Sequence, residues 1–87
     1  MRLDKFLKVS RIIKRRTLAK EIADQGRISI NGTPGKASSN VKIGDELLIR
    51  FGQRLMTVEI IDLKETTRKE EASELYRVVK EERVNQE

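Results

Sequence analysis

The sequence predicts an α+β fold: a pair of short N-terminal helices, a small antiparallel sheet and a C-terminal helix. Three observations carry this expectation. Apolar residues recur with helical spacing through residue 25, the period shortens to alternation around Asn31-Gly32, and helical spacing returns after residue 66. With 87 residues, 37% hydrophobic and 38% charged, the chain can bury only a thin core, which fits one small domain.

The elements follow in order. Over residues 3–11, Leu3, Phe6, Leu7 and Ser10 share one stripe, while Lys5 and Lys8 point away and Arg11 sits at the border. Residues 12–16 lose that period and place cations in a turn. Thr17 is the expected N-cap of a second helix with Leu18, Ala19, Ile22 and Ala23 inward, and Gly26 suits its left-handed stop. Arg27 to Ile30 alternates into Asn31-Gly32, the dipeptide that favours a type I′ turn. Thr33-Pro34-Gly35 is expected to continue that turn, and residues 36–40 to be irregular. Lys42-Ile43-Gly44-Asp45 reads as a turn into a strand over residues 46–51. Gly52-Gln53-Arg54 then leads to a longer strand over residues 55–63, with Val58 and Ile60 on one side. Ala72, Leu75, Tyr76 and Val79 keep helical spacing, so a capped helix is expected over residues 68–83. The domain division is residues 1–64, with a helical tail over residues 65–87.

Charge is the second signal. The net charge is +5, but it is not spread evenly. Residues 1–20 hold eight cations (Arg2, Lys5, Lys8, Arg11, Lys14, Arg15, Arg16 and Lys20) against the single acid Asp4. Residues 21–64 balance six against six, and residues 65–87 carry five cations and seven acids. A charge run on a helix is ordinarily a solvated face. Here it has one sign and covers a helix, a turn and the next helix start, which is the footprint of a polyanion binder. Arg15-Arg16 at a helix start sets guanidinium forks beside free backbone N–H groups, a good seat for phosphate. Asp4 reads most simply as an acid favoured by the helix dipole; its functional reading is to orient Arg2 or a neighbouring arginine. Asn31 and Lys36 extend the same surface if their hairpin folds toward the helices.

The composition also excludes. Without Cys or His there is no thiolate nucleophile, disulfide, Cys/His metal site or histidine general base, so no enzyme, metal or cofactor is expected. No glycine-rich nucleotide fingerprint occurs, and the glycines read as backbone punctuation. The acids of the tail alternate with cations and read as solvated. No apolar run is long enough to span a bilayer, and a cytoplasmic location is expected. The three aromatic residues are too few for a base-stacking sheet, so a nucleic-acid partner should be folded and gripped through phosphates.

At Met1-Arg2-Leu3-Asp4-Lys5-Phe6-Leu7-Lys8, Lys14-Arg15-Arg16-Thr17-Leu18-Ala19-Lys20, Gly26-Arg27-Ile28-Ser29-Ile30-Asn31-Gly32 and Lys42-Ile43-Gly44-Asp45, the chain resembles a known family. It is similar to the RNA-binding domain named after small-subunit ribosomal protein four. That resemblance implies two helices on a small bent antiparallel sheet, the alpha-L RNA-binding motif, with a helical face on structured RNA. Over its whole length, including Phe51-Gly52-Gln53 and Thr66-Thr67-Arg68-Lys69-Glu70-Glu71, it resembles the free-standing bacterial RQC P-site factor family. These are relatives of the heat-shock protein that binds detached large ribosomal subunits.

The resemblance implies a ribosome-associated quality-control factor with no chemistry of its own. Such a factor binds large subunits obstructed by peptidyl-tRNA and touches both P-site tRNA and large-subunit rRNA. It supports C-terminal alanine tailing of the stalled chain by an elongation factor of the RqcH type. A monomer is expected. Arg2 and Arg16 then meet the tRNA–rRNA junction, the other six cations line the same surface, and Asp4 matches the family's acid. Two alternatives stand beside this: a heat-shock-type factor recycling free large subunits, and a DNA-binding regulator built on residues 3–25.

Overall fold

The computed structural model describes residues 1–83, which form α1 (Leu3–Val9), α2 (Arg16–Asp24), β1 (Ile28–Ile30), β2 (Thr33–Pro34), β3 (Glu46–Phe51), β4 (Arg54–Ile60), α3 (Lys69–Ala72) with a following 3-10 turn (Ser73–Leu75), and β5 (Tyr76–Arg83). The α+β class holds. The stripe read on the first helix is real: Leu3, Phe6, Leu7 and Ser10 are all buried. α1 stops at Val9, two residues before the expected end, and Arg11 follows in the left-handed region at φ 61° with its N–H donating to the Lys8 carbonyl. α2 begins two residues early, so Arg15 occupies the N-cap position and Thr17 lies inside the first turn. Ala19 and Ala23 are the buried face of α2, and side chains this small let it lie close to α1. Leu18, expected inward, is exposed.

All five strands are antiparallel, in the order β2-β1-β3-β4-β5. Asn31 at φ 52° and Gly32 at φ 85° make the left-handed pair that the type I′ turn requires. The turn ends there: Thr33 and Pro34 pair back with Ile30 and Ser29 as a second strand, a correction to the longer turn read from sequence. Proline is tolerated because β2 is an edge strand. Along β3, Leu47 and Ile49 face inward while Glu46, Leu48 and Arg50 face out. Val58 and Ile60 of β4 join them, so both helices cover one face of the sheet. β4 ends at Ile60 rather than residue 63, because the Ile61 and Asp62 N–H groups turn to the Leu75 carbonyl.

The helix expected over residues 68–83 is the largest correction. α3 covers four residues, and after the 3-10 turn the chain extends into β5, pairing with β4 from Ile60↔Tyr76 to Arg54↔Arg83 around a bulge near Thr57. Ala72 and Leu75 are buried under the helical turn. Beyond them the β-branched Val78-Val79 pair meets the unpaired edge of β4, whose backbone groups need partners, and extension wins. The last four residues of the expected tail, 84–87, lie outside the described residues.

Because Leu75 belongs to the same core as Phe6 and Ile60, Leu75→Ala should cost about 3 kcal/mol in urea unfolding. An unchanged midpoint would detach the C-terminal segment from the fold.

Candidate nucleic-acid interface

Elementary backbone bonding fixes the start of α1. The Leu3 N–H donates to the Ser39 carbonyl (2.7 Å), the Asp4 N–H to Ala37 (3.2 Å) and the Val41 N–H to Met1 (2.8 Å). Arg2 forms a β-bridge with Asn40, so its backbone is clamped before its side chain is considered.

Asp4 is then the centre of the site. Its side chain is only 4% exposed, yet it is an acid. Its oxygens accept from Arg2 Nε and Nη2 at 3.2 Å, from Arg16 Nη2 at 3.5 Å and from the Lys5 N–H at 2.8 Å. A second Arg16 contact, Nε to Oδ2, also measures 3.5 Å. A buried carboxylate needs cationic partners, and two guanidinium groups need an anion between them to sit side by side. Each satisfies the other. Arg2 and Arg16 keep about half of their side chains exposed (49% and 47%), so N–H groups not used by Asp4 remain available. Asp4 is thus more than a dipole-favoured acid of the first helical turn; it joins the start of α1 to the start of α2.

A second group lies beyond this triad. Lys8, Arg11 and Lys14 line a groove with Val9, Glu65, Thr66 and Thr67. Lys5, one turn before Lys8, forms an ion pair with Glu65 at the groove's border. Thr67 Oγ1 donates to the Val9 carbonyl and fastens the post-β4 segment onto α1. No sequence signal marked Glu65, Thr66 and Thr67 as wall residues. The segment lacks periodicity, so no local signal places it against α1.

The remaining candidates diverge. Arg15 is exposed at the N-cap of α2, whose first turn has no side-chain cap. Lys20 stands farther along α2 beside Glu21 and Asp24, apart from the groove. Asn31 does not extend the surface: its amide donates to Asp45 Oδ1 (3.0 Å) and its oxygen accepts the Glu46 N–H (2.9 Å). Asp45, buried, also accepts the Lys42 N–H, so the Lys-Ile-Gly-Asp turn is a structural lock. Lys36 is exposed, with its backbone N–H held by Ser39 Oγ. Among the described residues no cluster of acids could hold a metal ion, and no helix is long and apolar enough to cross a membrane.

A helix-borne cationic surface on a small antiparallel sheet defines a class, and the comparisons agree with it. Residues 1–47 match the S4 domain, and the chain belongs to that family. Within it, the chain belongs to the RQC P-site tRNA stabilizing factors. It is 69% identical to the Bacillus subtilis member over 99% of this chain and all of the relative, and 57% identical to the Listeria monocytogenes member over 99% and 94%. Among solved structures, heat shock protein 15 of Vibrio cholerae, described as trimeric, superposes with a TM-score of 0.85 at 35% identity, covering 91% of this chain and 81% of that one.

Asp4→Asn tests the triad with opposed signs. It raises the net charge, so charge counting alone predicts tighter RNA binding. Loss of the shared anion should instead splay Arg2 and Arg16 and weaken binding of a structured RNA about tenfold by filter retention, with on the order of 1–2 kcal/mol of stability lost.

Proposed function

We propose that this chain is a ribosome-associated quality-control factor that holds P-site tRNA on obstructed large ribosomal subunits. The observation that carries the proposal is the Arg2–Asp4–Arg16 triad beside the Lys8, Arg11 and Lys14 groove. The triad presents two guanidinium forks as one unit, suited to paired phosphate contacts, and the groove supplies further cations along the same helical pair. Full-length similarity to proteins named RQC P-site tRNA stabilizing factors supplies the particular RNA.

The mechanism is a clamp. A basic face that meets P-site tRNA and large-subunit rRNA together binds their junction more tightly than either strand alone. It shifts the subunit toward the tRNA-occupied state by as much as its affinities for the two states differ. Holding that state lets a tailing elongation factor of the RqcH type add alanine to the stalled chain, while bond making stays with the peptidyl transferase centre. The chain itself performs no catalysis. It acts in the cytoplasm, on the ribosome, as a monomer. Residues 1–64 carry the RNA-gripping cations; beyond them Glu65–Thr67 border the groove, while Leu75 and β5 complete the core and the sheet. Lys5, Lys8, Arg11, Lys14, Arg15 and Lys20 contribute phosphate contacts around the central pair.

If about six phosphates are neutralised, log affinity for the large subunit falls with log salt at a slope of about −4 to −5. Arg16→Glu should abolish co-sedimentation with large subunits but also lower the urea midpoint, because it sets a second carboxylate beside buried Asp4. Lys8→Glu and Lys14→Glu, outside the triad, should therefore weaken co-sedimentation with the circular dichroism spectrum unchanged. Co-sedimentation retained with the same salt slope would sink the assignment. In cells, loss of the chain should remove alanine tails from stalled nascent chains; accumulation of free obstructed subunits with tails intact would favour the recycling role.

A further inference from the structure

The three aromatic residues are too few for a stacking sheet, but they are not scattered. Phe6 belongs to the core, whereas Phe51 and Tyr76, far apart in sequence, line one surface notch of ≈ 390 Å³ with Arg11, Ile12, Arg54 and Met56. The register explains the meeting. Cross-strand partners share a face, so the inward row of the sheet runs through Ile49 and Met56, Phe51 and Arg54, and Ile60 and Tyr76. The helices cover Ile49 and Ile60 completely, while Phe51, Met56 and Tyr76 are left half-buried beyond them. The turn after α1 supplies the other wall through Arg11 and Ile12.

Arg11 bears on what the notch takes. It lies at φ 61°, a backbone conformation natural to glycine and costly for a branched or bulky residue, and it also lines the basic groove. One guanidinium therefore stands between the phosphate-gripping surface and an aromatic recess. Arg54 stands at the far rim, held by Glu81.

From this arrangement we infer that the notch receives a single unstacked nucleobase of the bound RNA, stacked against Phe51 or Tyr76, with its phosphate on Arg11. A lining that joins two aromatic rings to polar groups suits a nucleobase, which has a π face and hydrogen-bonding edges, and a cation at the mouth suits the phosphate that accompanies it. A hydrophobic peptide would leave that cation without a partner. The inference rests on the RNA-binding reading above and adds a site that recognises an unpaired nucleotide irrespective of sequence.

The test uses the full chain and two hairpin RNAs, one fully paired and one carrying a single bulged adenosine. Tyr76 is the only tyrosine and there is no tryptophan, so intrinsic fluorescence reports on the notch. The bulged hairpin should quench that emission and the paired one should not. Phe51→Leu should weaken binding of the bulged hairpin about tenfold, the worth of one base–aromatic stack, and leave the paired hairpin unchanged. Equal binding of both hairpins by the native chain, without quenching, overturns the notch assignment and leaves the basic face intact. Failure to bind either at low salt overturns both readings.

Discussion

The structure depends on how one buried carboxylate is satisfied. Asp4 is buried, and its desolvation is tolerable only because Arg2, Arg16 and the Lys5 N–H converge on it. That requirement works in both directions. The arginines come from the two ends of the α1–turn segment, so satisfying Asp4 also fixes how α2 begins relative to α1. The alanine contact between the helices settles their distance, and the ion cluster settles what their shared end displays. Packing and recognition surface are consequences of the same geometry.

The sheet provides the rigidity that this arrangement needs. α1 does not float on the core; its first backbone groups are bonded to residues 37–41, and that loop is held by the lock of Asn31, Asp45 and the Lys42 N–H. Asp24 reaches the same loop by accepting the Ala37 N–H at 3.1 Å. Asp4, Asp24 and Asp45 thus each accept a backbone N–H that would otherwise lack a partner.

Much of this was legible in the residues. Leu3, Phe6 and Leu7 announced the buried side of α1, Asn31-Gly32 announced a tight hairpin, and the alternation of residues 46–51 announced a half-covered strand. The one-signed charge of residues 1–20 marked the cationic surface of α1, the turn and the start of α2, although it could not separate Lys20 from the groove. What local pattern could not settle was residues 76–83. Ala72, Leu75, Tyr76 and Val79 keep a helical interval, yet only the first two are buried by helical turns. The remainder answers to β4, a partner outside the local sequence, and a long-range ladder is invisible to a spacing rule. Asp4 was ambiguous for the same reason: its role depends on Arg16, twelve residues away.

The stitching of α1 to residues 37–41 also bears on how the molecule comes into being. A newly made helical pair has its strongest cationic cluster early but lacks the Ala37 and Ser39 carbonyl acceptors and the Val41 donor that anchor it. Until translation delivers those later residues, the amino-terminal segment is a loose polycation beside the ribosome that is making it. Its mature shape therefore arrives late, through contacts distant along the chain, and slow ordering is the kinetic counterpart of that wiring.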